Sequence, residues 1–391
     1  MSELRVAQLV ETLTVGGAER LAVQIANGAA ASGAASHLYV LGSAAPLAGL
    51  VSSDVTLRIL GLERASIRNP FAFAVSLVRG YRTLRARLAA DGVGVVQSHL
   101  PGANFWALLL QFAGVCSSIP TIHNNREFDY GDADHPLRAR LRRSAYRAMM
   151  KRCPAVVAVS DLVKDSMVSE LGLDARSAAT MVVVPNGVPA PEPIDDDRRT
   201  ALRSAYGCRG GEPLLLAAGR HTEQKNFEAL IEASALLGRR DVEHRLVIAG
   251  EGPLRARHEE LAAAAAADGR IVFPGVVSDL SDLMQAADVF VLPSLWEGLP
   301  LVLLEAMYAG CAVAASRIEG VVEVLDDGVT GVLTAPGDAT ALADALAELL
   351  EDDGRRRRLA DAGRGLVASR HSFEGVVEKL MDLYGGVDRA D

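Results

Sequence analysis

What most constrains this 391-residue chain is a rhythm: short apolar runs alternate with helical patterns from one end to the other. Many runs are unbroken Val/Ile/Leu/Ala stretches rather than in-out alternations, which is how a parallel strand covered on both faces reads. They predict strands at 4–10, 37–42, 55–60, 93–98, 119–123, 155–160 and 180–185, then at 213–218, 245–250, 270–274, 288–293 and 311–316. Helices are expected between them, for example at 18–31, 71–90, 226–237, 254–267 and 300–309. Half of the residues are hydrophobic and only 5% are aromatic, a balance suited to α/β layers. At 185–199 the sequence PNGVPAPEPIDDDRR joins four prolines to an acidic run, the composition of a linker or hinge edge. The expectation is two doubly wound α/β domains facing across a cleft: 1–185, 186–370, and a closing helical segment, 371–391, packing back toward the first domain.

The formal charge of −9 argues against nucleic acid as a partner of the whole molecule. The first 185 residues are net positive and the remainder strongly negative, so the two halves present different surfaces. Cys116, Cys153, Cys208 and Cys311 are scattered with no Cys-x-x-Cys, which fits a reduced cytoplasmic protein without structural zinc. The start, MSELRVAQLV, does not read as a signal peptide, and no apolar run approaches the ~20 residues that span a bilayer.

Ligands of open α/β sheets bind beyond the carboxyl ends of the strands, and the chemistry-bearing residues fall there. After 213–218 comes GRHTEQKN, whose Arg220 and Lys225 precede a helix start; two cations beside a helix N-terminus suit a diphosphate, or form a solvated loop pair. Lys225 is one of four lysines in a chain with 36 arginines. After 245–250 comes GEGP, in which Gly250 and Gly252 make either a tight turn or a close approach to a ligand. After 288–293 comes SLWEGLPLVLLEAMYAG. Pro300 is placed to start a helix and Gly310 to end it. The N–H groups of Gly298 and Leu299 lie ahead of that start, able to meet an anion or a hydroxyl. Glu305 sits in the middle of an apolar helix and Glu297 just before it; each needs a buried cation or a ligand. A carboxylate such as Glu305 can accept both hydrogen bonds of a vicinal diol. Near the N-terminus, Gly16 and Gly17 form a flexible turn that is not a G-x-G-x-x-G fingerprint. His99 and His123 each end a predicted strand in the first half.

Together GGAER, GR-x4-KN, GEGP and E-x7-E, in this order, resemble glycosyltransferase family 4. VSDLVKD at 159–165, VVVPNGV at 182–188 and GCAVAASRIEGVVEVLDDGVTGVL at 310–333 agree, so the resemblance covers nearly the whole chain. It implies the GT-B fold of two Rossmann-like domains and a retaining transfer from a nucleotide-diphosphate sugar, UDP- or GDP-linked, usually without a divalent metal. By motif match it implies Arg220 and Lys225 on the diphosphate, Glu305 on the ribose, and Glu297, Gly298, Leu299 and Pro300 around the transferring sugar. Gly250 would line the donor site, Gly16 and Gly17 would close over the phosphates, and His123 would sit near sugar and acceptor. The family often has Gly-Gly where this chain has Ile318-Glu319-Gly320, so no residue there is assigned. Acidic D-x-D triplets at Asp132–Asp134 and Asp195–Asp197 fall in a loop and in the linker, and no metal is assigned to them.

The acceptor side is read from 135–152, HPLRARLRRSAYRAMMKR, with seven basic residues from Arg138 to Arg152. Leu137, Leu141, Ala145, Ala148 and Met149 share one helical face, so this is either an amphipathic helix for an anionic membrane surface or an ordinary basic helix. The sequence RNPFAF at 68–73 adds a second apolar contact. The expected acceptor is a glycan or a lipid-linked one, and the membrane reading favours the lipid-linked one. The alternatives are another GT-B enzyme, a nucleotide-sugar epimerase or phosphorylase, or a non-catalytic nucleotide-sugar-binding scaffold.

Overall fold

The computed structural model describes residues 3–14, 16–62, 69–124, 127–128, 136–265 and 269–388. The chain divides into two compact units, Met1–Pro185 with Val376–Asp391, and Asn186–Gly375.

The first unit holds a seven-stranded sheet: β1 (Arg5–Val10), β2 (Ala35–Val40), β3 (Thr56–Ile59), β4 (Val95–His99), β5 (Ser117–Ile122), β6 (Val156–Ala158) and β7 (Met181–Val183). Its order is β3-β2-β1-β4-β5-β6-β7, every pair parallel. Helix Pro70–Asp91 packs through Gly80, where a Cβ would lie 2.8 Å from the Trp106 ring, and through Leu84 and Leu88, both fully buried. The opposite side of that helix carries Phe71 (80% exposed), Val75 (51%) and Val78 (59%). They recur at the spacing of successive turns, with exposed Arg79, Arg82 and Arg85 alongside.

Of the face expected of helix Pro136–Arg152, Ala145, Ala148 and Met149 pack on a core and Leu141 does not. Tyr146, Met149 and Met150 are buried against Phe128, whereas Leu141 is 62% exposed. The side chain of Leu137 lies outside the described residues, as do Arg68, His135 and the Asp132–Asp134 triplet. Part of its basic charge is spent on the fold. Arg142 donates to the Glu127 carbonyl (3.0 Å), Arg147 donates to the Leu171 carbonyl (2.9 Å), and Arg143 and Arg152 lie over the rings of Phe128 and Phe112.

The second unit holds a six-stranded parallel sheet: β8 (Leu214–Ala218), β9 (Arg245–Ala249), β10 (Ile271–Gly275), β11 (Val289–Leu292), β12 (Ala312–Ser316) and β13 (Val332–Thr334). The order is β10-β9-β8-β11-β12-β13. Both faces of β8 are covered: Leu214, Leu216 and Ala218 enter one core, Leu215 and Ala217 the other. That two-sided burial is why the strand reads as an unbroken apolar run. The short edge strand β13 is absent from the sequence reading, because three residues between turn signals carry no period.

The seam is more ordered than a linker. Val188 pairs with Ser372, and His371 Nδ1 lies 2.9 Å from the Asn186 carbonyl. Asp195 caps helix Asp196–Ala205 by accepting from Arg198 N at 2.7 Å, which gives the second acidic triplet a structural task. Helix Phe373–Asp388 ends within the first unit, where Tyr384 is fully buried. Among the described residues no helix is long and apolar enough to cross a membrane.

Candidate functional site

In the second sheet, strand order reverses between β8 and β11, and parallel sheets leave a crevice beyond the carboxyl ends of the two strands at such a point. The loops 219–226 and 293–300 leave these two strands and are stitched together. Leu295 N donates to the Gln224 carbonyl (2.8 Å), Gln224 Nε2 to the Trp296 carbonyl (2.9 Å), and Asn226 Nδ2 to the Pro293 carbonyl (3.3 Å).

The chemistry hangs on this stitching. Lys225 Nζ meets Glu297 Oε1 at 2.5 Å, with the two side chains only 14% and 9% exposed. Ser294 Oγ donates to the same oxygen at 2.7 Å. Glu297 Oε2 takes only a 3.3 Å bond from Gln224, so it retains acceptor capacity. Glu297 is therefore first of all the group that holds Lys225 in place. Arg220 is exposed, and its guanidinium has no partner among the described residues. Pro300 precedes helix Leu301–Ala309, which Gly310 ends in a left-handed conformation (φ 85°). The N–H groups of Gly298 and Leu299 donate to no protein group among the described residues. Glu305 is half-buried one turn inside that helix.

The turn 297–300 is clamped from two sides by residues the motifs did not single out. Asn186 Nδ2 donates to the Leu299 carbonyl at 3.0 Å. Gly320 approaches so closely that a Cβ there would collide with the Gly298 carbonyl oxygen. Gly320 lies in the short helix Glu319–Val322, within the segment left unassigned, and its only signal in the sequence is its being a glycine. Gly250, at φ 133°, lies against the Gly219 carbonyl with no room for a Cβ. The 219–226 loop is tied to GEGP behind it: His221 N donates to the Glu251 carbonyl (2.9 Å) and Leu254 N to the His221 carbonyl (3.0 Å). Beneath the loop the His221 and His258 Nδ1 atoms meet at 2.8 Å, both rings fully buried. Burial, and then the neighbouring ring, pushes His221 down to about 4; burial lowers His258 too.

The first unit reverses strand order between β1 and β4. Gly16 caps, and Gly17 begins, the helix Gly17–Ala31 that follows β1. His99 ends β4 and His123 follows β5, with His99 Nδ1 3.1 Å from His123 Nε2. His99 is fully buried, and burial lowers it well below its ordinary value; burial pushes His123 down to about 4. Both shifts favour the neutral ring at physiological pH. Nearby, burial raises the Glu127 carboxyl to about 7 while the Tyr146 hydroxyl donates to it. Gly16, Gly17 and His123 thus belong to one unit, and Arg220, Lys225, Gly250, Glu297, Gly298, Leu299, Pro300 and Glu305 to the other.

Among the described residues no group of three His, Cys, Asp or Glu side chains is arranged to hold a metal ion.

Two family descriptions match the chain, "Glycosyltransferase Family 4" over residues 15–190 and "Glycosyl transferases group 1" over 198–366. The phosphatidyl-myo-inositol mannosyltransferase of Mycobacterium tuberculosis is 30% identical over 315 residues, 78% of this chain and 76% of that protein. The alpha-D-kanosaminyltransferase of Streptomyces kanamyceticus is 30% identical over 242 residues, 61% of this chain and 62% of that protein. Against other curated relatives the chain spans about half of their length. The structure of HepE from Anabaena superposes with a TM-score of 0.82 at 17% identity, covering 98% of this chain and all of that one. That likeness establishes the architecture as GT-B. With the two family descriptions tiling most of its length and the mannosyltransferase aligned over three quarters of it, the chain belongs to the family 4 glycosyltransferases.

Proposed function

We propose that this protein transfers a sugar from a nucleoside diphosphate donor to a hydroxyl of a glycan or lipid-linked acceptor, with retention at the anomeric carbon. The observation that carries this reading is the Lys225–Glu297 pair beside Arg220, at the strand-order reversal of the second sheet. The structures of HepE with UDP and with UDP-glucose support a nucleotide sugar as the donor class.

In this reading the bond from the anomeric carbon to the diphosphate oxygen breaks, and a bond to the acceptor oxygen forms. Negative charge grows on the departing diphosphate. Arg220 and Lys225 meet it, together with the Gly298 and Leu299 N–H groups ahead of the helix. Those groups do the work a divalent cation would otherwise do, so no metal is required. Glu297 holds Lys225 with one oxygen and offers the other to a sugar hydroxyl. Glu305 takes the ribose hydroxyls, and Gly250 leaves room for the backbone to approach. By the family resemblance, Gly16 and Gly17 of the first unit are read as phosphate contacts and His123 as a sugar and acceptor contact.

For an acceptor at a lipid surface, the apolar stripe Phe71, Val75 and Val78 with Arg79, Arg82 and Arg85 is a better contact than 135–152, whose apolar side chains are largely packed inward. Its test is sedimentation with anionic vesicles, which Phe71→Ser/Val78→Ser should weaken.

The donor reading is tested by thermal shift and slow hydrolysis across UDP-, GDP- and ADP-sugars in the presence of a chelator. One donor should stabilise the parent and not Lys225→Ala or Glu305→Ala. Stabilisation by none, with or without Mg2+, would sink the reading in favour of a scaffold.

A further inference from the structure

A line of buried polar groups runs through the first unit to His123. Tyr384 Oη donates to Gln97 Oε1, and Gln97 Nε2 donates to Thr121 Oγ1 at 2.8 Å. Gln8 Nε2 donates to Tyr384 Oη at 3.1 Å, which turns Gln8 Oε1 toward His99 Nε2 at 2.8 Å. Gln8, Gln97, His99 and Tyr384 are each no more than 1% exposed, so no water competes for these bonds.

Each bond has a direction, and the directions propagate. A carbonyl oxygen only accepts, so His99 Nε2 must carry its proton. A neutral His99 then has its lone pair on Nδ1. The His123 Nε2 facing it at 3.1 Å must therefore be the donor. A neutral His123 so arranged has its remaining lone pair on Nδ1.

We infer that Tyr384, Gln8 and His99 are positioning residues that fix His123 as the Nε2–H tautomer, so that its Nδ1 accepts a hydrogen bond from a substrate hydroxyl. This rests on the reading of His123 as a contact to sugar or acceptor. It sharpens that reading: an Nδ1 lone pair welcomes a hydroxyl and repels a phosphate oxygen, so His123 serves the sugar or acceptor and not the diphosphate. It also gives the closing helix Phe373–Asp388 a part in the chemistry, since Tyr384 starts the line.

Ring-nitrogen NMR on protein labelled at its histidines tests the relay directly. The parent should show neutral His123 in the Nε2–H form at pH 7.5; the Nδ1–H form overturns the inference. Tyr384→Phe deletes one hydroxyl and frees both glutamine amides to turn. It should give a mixture of tautomers, with kcat for transfer down roughly 10-fold and the donor KM little changed. An unchanged tautomer in this variant also overturns the relay. Should Tyr384→Phe not fold, Gln97→Met removes the acceptor of the same hydroxyl and carries the same expectation. His123→Ala separates the two layers: parental transfer rates there refute the substrate contact, while the spectra decide the relay independently.

Discussion

Lys225 and Glu297 are the residue pair on which the proposed donor site turns. Each is nearly buried, so removing one strands the other without a counter-charge. Lys225→Met is expected to cost about 3 kcal/mol of stability in denaturant unfolding, by the general cost of breaking a buried pair. The double variant Lys225→Met/Glu297→Gln should recover most of that stability. Neither should recover activity, because a donor lost from developing charge slows the step by about 100- to 1,000-fold. A double variant with parental rates would show that the pair is structural alone. The pairing of these two residues could not be read from the motif. E-x7-E and GR-x4-KN lie about seventy residues apart, and only the adjacency of β8 and β11 brings them together.

At the scale of elements, the turn 297–300 depends on neighbours that approach without side chains. Gly320→Ala places a methyl against the Gly298 carbonyl and should lower stability by about 1–3 kcal/mol, with donor-induced thermal shift lost. A shift equal to that of the parent would show that the clamp is dispensable. Beneath the adjacent loop, the His221–His258 pair makes the second unit acid-sensitive. The folded state refuses protons that the unfolded chain binds from its ordinary value of 6.5 downward, until about 4 for His221. The pair's contribution to stability is therefore full above pH 6.5 and is lost progressively as pH falls toward 4. His99 and His123 act in the same sense in the first unit. Glu127 acts oppositely: raised to about 7, it stays protonated in the fold where the unfolded chain ionises, so its contribution is lost as pH rises through that value. Thermal melts from pH 7.5 to 4.5 should show the histidine trend, and His258→Leu should lessen it by removing one of these four rings. The basic helix 136–152 shows what a face drawn from sequence misses: Tyr146 and Met150, not Leu141, meet the core.

For the whole molecule, two units with separate cores predict that a donor acts on one of them. Nucleotide sugar at about 100 times its Kd should add about 2.7 kcal/mol. In hydrogen exchange that protection should centre on 219–226 and 297–310 of the unit Asn186–Gly375. Protection confined to Met1–Pro185 would contradict the assignment of the donor to the second unit. The fold class was legible because it is written in periodicity. Twelve of the strands stand where apolar runs predicted them, and the chain divides into its two units after Pro185.

The sequence by itself determined the fold class, the strand-end positions of the candidate site residues and the family, since these depend on local pattern and on spacing along the chain. Only the tertiary structure decided which groups act on each other: Glu297 with Lys225, Asn186 and Gly320 on the Leu299 and Gly298 carbonyls, and Tyr384 at the head of the line to His123. The reason is range. Hydrogen bonds and ion pairs act over about 3 Å, and partners 376 residues apart, such as Gln8 and Tyr384, meet only through the packing of elements that no local pattern records.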